Sequence, residues 1–112
     1  MKKLLISFIT LLFIFCGCVK EVIECNITTP ENYATFLKYE SIRVDVEAST
    51  TKGSIIQVVL LVDDKVIDSL REEPYNFTIP PDTISAGEHI LYAAAYNSQQ
   101  NREVAMIHIT IK

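Results

Sequence analysis

From Val22 onward hydrophobic and polar side chains alternate with a period of two, and turn-forming residues break the alternation every roughly 8 to 12 positions, the signature of an all-β sandwich or barrel. Residues 41–48 show it most clearly. Ile42, Val44, Val46 and Ala48 point one way and Arg43, Asp45 and Glu47 the other, so slipping the register by one residue would drive three charges into the core. A first strand is predicted over 22–27, closed by Thr28, Thr29, Pro30 and the polar pair Glu31-Asn32. After the loop 49–53, Ile55–Val62 is apolar on both faces except at Gln57, as expected of a strand covered on both sides. Asp63-Asp64 turns the chain into a short strand, Lys65–Leu70. Pro74 opens Tyr75–Ile79, and Pro80-Pro81 closes it. Two last strands, 89–96 and 103–111, flank a polar loop over 97–102. Seven strands result, and no run has the length and 3.6-residue period of an amphipathic helix. The predicted core is Val44, Val46, Val58, Leu60, Phe77, Leu91, Ala93, Ile107 and Ile109.

The first 17 residues follow a different pattern. Lys2 and Lys3 precede an uncharged, mostly apolar run over 4–15, broken only by Ser7 and Thr10, which reads as a secretory signal. A membrane-crossing helix needs roughly 20 apolar residues, and Gly17, Cys18, Lys20 and Glu21 end this run too early. Phe15-Cys16-Gly17-Cys18 resembles the bacterial lipobox, with Gly17 as the small residue before the acylated Cys18. Phe15 and Cys16 depart from the commonest pattern, which has Leu and then Ala or Ser. An ordinary secretory cleavage site fits less well, because it favours small residues at both −1 and −3. The resemblance implies that residues 1–17 are removed and that Cys18 becomes a lipidated N-terminus. One buried chain, at about 0.8 kcal/mol per methylene, holds marginally, whereas two or more anchor stably. The expected location is the cell envelope. Val19 in place of Asp after the anchor favours the outer membrane in a Gram-negative host, by resemblance to the enterobacterial sorting rule.

Removing 17 residues from 112 leaves 95, enough for one domain and too few for two. Without Lys2 and Lys3, eight basic residues face fourteen acidic ones, a net charge of −6. Nucleic acids and anionic membrane surfaces both demand clustered Lys and Arg, so they are poor partners for this chain. Cys25 is then the one remaining thiol, which rules out an internal disulfide; its register with Ile23 and Ile27 favours a buried core thiol over an exposed or pairing one. With His89 and His108 the only imidazoles, no zinc ligand set exists, and no cofactor motif is present.

A set of landmarks runs through the mature chain in order: Ile27-Thr28-Thr29-Pro30, Gly53-Ser54-Ile55, Val58-Val59-Leu60-Leu61-Val62-Asp63, Pro74-Tyr75-Asn76-Phe77, and Gly87-Glu88-His89-Ile90-Leu91-Tyr92-Ala93 with Tyr96-Asn97. Together they resemble the bacterial immunoglobulin-like domains appended to secreted glycoside hydrolases and other surface proteins. The resemblance implies an immunoglobulin-like β-sandwich of about seven antiparallel strands over 27–112, preceded by a lipidated tether and first strand over 18–26. Asn32, Asp64 and Asn101 stand near positions where that family turns on glycine, and Asn and Asp tolerate the left-handed backbone such turns need. Such a resemblance implies a fold and a modular role, not a particular activity.

Nothing in the sequence assembles a catalytic centre. A nucleophile needs an adjacent base and an orienting third group, and His89 and His108 fall on strands with no serine elbow or glycine-rich loop beside them. His89 shares a face with Leu91, Ala93 and Ala95 and reads as a histidine at the core edge rather than a general base. Asp63-Asp64 reads as a hairpin turn rather than a calcium ligand pair, and Asp68, Glu72 and Glu73 as solvated charge rather than glycosidase carboxylates. In an immunoglobulin-type sandwich the third, sixth and seventh strands are neighbours. Their outward residues should form one broad uncharged surface, with Ile55, Val59 and Leu61, then Tyr92 and Tyr96, then Met106 and His108 as its candidate interaction residues. The functional expectation is a membrane-anchored module that contacts a protein partner, self-associates, or acts as a spacer. Carbohydrate binding in support of a polysaccharide-degrading system is the alternative, weakened by the absence of Trp and by the loss of Phe8, Phe13 and Phe15 with the leader.

Overall fold

A computed structural model describes residues 22–112; the expected signal segment over 1–17, the expected lipidation position Cys18 and residues 19–21 lie outside the described residues. Eight strands form two sheets packed face to face, an immunoglobulin-like sandwich. The smaller sheet has the order β1 (Ile23–Thr29), β3 (Ile42–Thr50), β6 (Tyr75–Ile79), all antiparallel. The larger sheet has the order β2 (Ala34–Phe36), β8 (Arg102–Ile111), β7 (Gly87–Asn97), β4 (Ile55–Val62), β5 (Lys65–Leu70).

The alternation over β3 governs the smaller sheet. Ile42, Val44 and Val46 are buried, Arg43 is exposed, and β3 pairs with β1 on one side and β6 on the other, so Val44 lies opposite Phe77 and Val46 opposite both Tyr75 and Ile27. From the larger sheet, Val58, Leu60, Leu91, Ala93, Ala95 and Ile109 fill the facing side of the core. All nine predicted core positions are buried, and Val44, Val58, Leu60, Leu91 and Ala93 expose 0% of their surface. Among the described residues the core is one continuous cluster that draws on both sheets from Val22 to Ile111, which is what an independently folding unit requires.

Three features depart from the sequence-based expectation. The eighth strand, β2, runs parallel to β8 through Ala34↔Ile109, Thr35↔Thr110 and Phe36↔Ile111; three residues are too few to display a period. β1 runs on to Thr29, two residues past the predicted end of the first strand at 27. At the turns near Asn32, Asp64 and Asn101 the left-handed residue is in each case an immediate neighbour instead: Tyr33 (φ 70°) after Asn32, Asp63 (φ 57°) before Asp64 and Gln100 (φ 69°) before Asn101. At two of these turns the amide side chain is used as an acceptor instead: Asn32 Oδ1 receives the His108 N–H at 2.8 Å, and Asn101 Oδ1 receives Asn97 Nδ2 at 3.1 Å.

Candidate interaction surface

The outward face of the larger sheet is laid out in rows by an uninterrupted β7–β8 register, from Gly87↔Ile111 to Tyr96↔Arg102. Leu91, Ala93 and Ala95 point into the core, so Glu88, Ile90, Tyr92, Ala94 and Tyr96 point away from it. Ile90 lies opposite His108. In the next row Tyr92 lies between Leu61 and Met106, and Val66 of β5 continues the row beyond Leu61. Ala94 lies between Val59 and Val104, with Ser69 beyond Val59, and Tyr96 lies between Gln57 and Arg102. Val66 and Met106 are the most open large hydrophobic side chains of these rows, at 59% and 54% exposure, while Ala94 is buried at 4%. An alanine methyl that points outward and is still covered is overlain by the larger side chains around it.

Six of the seven candidate interaction residues, Val59, Leu61, Tyr92, Tyr96, Met106 and His108, fall on this face. Ile55 does not. A β-bulge shifts the β4–β7 register so that Ile55 opposes Asn97 while Gln57 opposes Tyr96. The extra residue, Ile56, is exposed, and Ile55 turns inward to pack against the core. An Ile-Ile pair offers no polar residue to reveal that inversion.

The face also holds residues that the strand pattern did not assign to it. Asp63 and Asp64 leave a two-residue connection that keeps β5 beside β4 and brings Val66 against Leu61; the brevity of that connection was the available signal. Tyr33 lies flat on His108, ring centroids 5.1 Å apart and planes within 4° of parallel. Its backbone N–H also donates to the His108 carbonyl at 2.6 Å, which fixes the left-handed Tyr33 against the β8 edge. Along β7 and β8 the face has formal charges at its two ends only, Glu88 opposite Thr110 and Arg102 opposite Tyr96, because both strands extend beyond their predicted limits.

The smaller sheet has a different character. Arg43 Nε donates to Asp45 at 3.0 Å, and a shallow open groove is lined by Glu24, Asp45, Glu47 and Glu73 with Asn26 and Asn76. Among the described residues, no three His, Cys, Asp or Glu side chains converge as a metal site. Cys25 is buried, and desolvation pushes its thiol up to about 11, so it is protonated and unreactive at neutral pH.

His89 forms the one histidine–carboxylate pair among the described residues: Nδ1 lies 2.8 Å from Asp63 Oδ2, and Nε2 lies 2.7 Å from the Ser85 carbonyl. Both ring nitrogens face acceptors, an arrangement that favours the doubly protonated ring. Neither nitrogen is free to take a proton from a nucleophile. Burial lowers the His89 pKa, but the Asp63 and Ser85 hydrogen bonds outweigh it and hold the value above the ordinary one. The pair clamps the β4–β5 turn to β7, assisted by the Ile90 N–H, which donates to Asp63 Oδ1 at 3.0 Å.

A family model described as a bacterial Ig domain matches residues 24–93. Among solved structures, the fibronectin(III)-like modules of Clostridium thermocellum CbhA are similar at 27% identity and a TM-score of 0.71, over 80% of this chain and 97% of that one. An endo-β-1,4-mannanase from Thermotoga petrophila is similar at 14% identity and a TM-score of 0.66, over 84% of this chain and 20% of the mannanase chain. An engineered protein shares 15% identity with a TM-score of 0.55, over 80% of this chain and 20% of that chain. The last two are likenesses of fold alone. No curated protein matches the sequence.

Proposed function

The chain belongs to the bacterial Ig domain family, and on that premise we propose that it is a non-catalytic interaction module, held at the cell envelope by a lipid on Cys18. One observation carries the reading: the two sheet faces differ in kind. The smaller sheet presents Glu24, Arg43, Asp45 and Glu47 to solvent, whereas the middle rows of the larger sheet present Val59, Leu61, Val66, Tyr92, Val104 and Met106 without a charge. A contiguous apolar face on a small module marks a contact surface. The pairing of both His89 nitrogens with acceptors supports a structural rather than catalytic histidine.

The test is the double variant Val59→Lys/Tyr92→Glu in the soluble 22–112 domain. Both side chains lie on the outer face, so the circular dichroism spectrum should match wild type while association through the face is lost. A folded double variant that retains every wild-type association would overturn the proposal.

A second reading is glycan binding, favoured by Tyr33, Tyr92 and Tyr96 on the same face and by the fold's likeness to part of a mannanase. Aromatic rings stack on the apolar faces of sugars. Retardation of the domain in a gel containing β-mannan, abolished by Tyr33→Ala with Tyr92→Ala, would support it. Unretarded migration would exclude it for that polymer.

A further inference from the structure

We propose that the occupant of the apolar face is a second copy of this chain, packed face to face about a two-fold axis that crosses the strands at the Tyr92–Met106 row. The inference rests on the interaction role argued above and adds the identity of the partner. It comes from the order of the rows. An axis lying in the interface and perpendicular to the strands reverses the strand direction of the second copy. The Tyr92–Met106 row then packs on its own symmetry mate. The Ile90–His108 row packs on the Ala94–Val104 row, and the Glu88–Thr110 row on the Tyr96–Arg102 row.

Each pairing is complementary. Ala94 is the smallest side chain of the face, and the larger Ile90 of the other copy lies opposite it, twice by symmetry. The charged ends are matched in the same way. Glu88 and Arg102 sit at opposite ends of the face, separated along β7 by roughly 27 Å at ~3.4 Å per residue, so they cannot neutralise each other within one copy. Across the axis each Glu88 lies over the Tyr96–Arg102 end of its mate. Packed sheets are about 10 Å apart, a gap that Glu and Arg side chains reaching from both sides can close. An axis running along the strands would instead set Glu88 against Glu88 and Arg102 against Arg102. The sequence thus selects one isologous arrangement over the other. Four strands about 4.8 Å apart and five rows long give a footprint of roughly 400–500 Å². That lies below the ~800 Å² per partner of a standard interface, so the dimer is weak and reversible.

Sedimentation equilibrium of the 22–112 domain, from about 10 μM to about 1 mM, reads this directly. The wild type should pass from monomer to dimer across that range, and Val59→Lys should stay monomeric. Glu88→Arg alone and Arg102→Glu alone should each raise Kd at least about tenfold. Mixed in equal amounts they should recover wild-type dimerisation, because the mixed pair restores Arg–Glu contact at both ends. A wild type that is monomeric throughout, or a dimer indifferent to both charge variants, overturns the proposal. A photo-crosslinking residue at Val66 of the full chain in its own membrane separates this failure from that of the parent reading. A cross-link to a second copy supports the dimer. A cross-link only to a different protein overturns the dimer and leaves the interaction role standing, and no cross-link overturns both.

Discussion

Asp63 favours the charged form of His89: carboxylate oxygen and Nδ1 are 2.8 Å apart, and the Ser85 carbonyl lies 2.7 Å from Nε2. The folded pKa of His89 is raised, so its contribution to stability is fully present below the unfolded value of about 6.5 and is lost as pH rises through the folded value. The hydrogen bonds from His89 and from the Ile90 N–H hold the Asp63 carboxyl below its usual range. Its contribution is therefore present above about 3.9 and lost as pH falls through the lowered folded value. The clamp should be strongest between those limits. Urea midpoints should fall as pH rises from about 6 to about 9, and His89→Gln should flatten that decline. A decline as steep in His89→Gln as in wild type would assign it to other groups.

Leu60 and Arg43 provide the contrast for the core. Leu60 exposes 0% of its surface and sits on β4, an interior strand of the larger sheet, while Arg43 projects into solvent from the smaller one. Leu60→Ala should cost about 2–5 kcal/mol through lost burial and an unfilled cavity. Arg43→Ala should be within about 0.5 kcal/mol of wild type, since its exposed pairing with Asp45 contributes little. Chemical denaturation of both variants checks the register of both sheets at once.

Asn97 and Gly53 join the loops at one end of the sandwich. Asn97 is 1% exposed; its Nδ2 faces Thr50 Oγ1, the Lys52 carbonyl and Asn101 Oδ1 at 3.1–3.2 Å, and its Oδ1 accepts the Gln99 and Asn101 N–H groups. Gly53 has φ +66°, and an added Cβ would collide with Ser98 Oγ. Asn97→Ala would orphan several groups at once and should cost about 2–3 kcal/mol. Gly53→Ala should cost at least about 1 kcal/mol from the left-handed backbone alone. Thermal denaturation should show both losses, and a neutral Gly53→Ala would mean that the loop relaxes freely.

Legibility in the sequence followed the spacing of polar residues. Arg43, Asp45 and Glu47 interleave with Ile42, Val44 and Val46, so β3 had one possible orientation, and the core facing it could be read in turn. Ile55-Ile56 carries no such marker, and a bulge there inverted one expected side chain without any compositional sign. β2 is three residues long and is held by β8 rather than by its own pattern, so its existence depended on tertiary pairing. The Asp63–His89 clamp joins residues 26 positions apart, and only the β4–β7 pairing brings them together. The apolar face was legible in outline because Tyr92, Met106 and Leu61 share a parity with no charge among them. Its charged ends were not, because the predicted strands stopped at His89 and Glu103, one residue short of Glu88 and Arg102.

Processing at Cys18 tests the anchoring proposal apart from the fold. Under that proposal the lipobox-like Phe15-Cys16-Gly17-Cys18 would make Cys18 the acylated N-terminus, and several acyl chains would bury enough methylenes, at about 0.8 kcal/mol each, to hold the protein on a bilayer through repeated washing. Intact-mass analysis of the membrane fraction should show a species that begins at Cys18 and carries the mass of its lipids. Cys18→Ala should remove that species, leaving either an uncleaved precursor or a protein released into the soluble fraction. Cys16→Ala serves as the control: Cys16 lies within the segment to be cleaved off, so the mature mass should not change. A mature protein that starts at another residue and carries no lipid would place the domain free in the envelope. Its local concentration would then be set by expression alone, without confinement to a surface, and association through the weak apolar face would be correspondingly rarer.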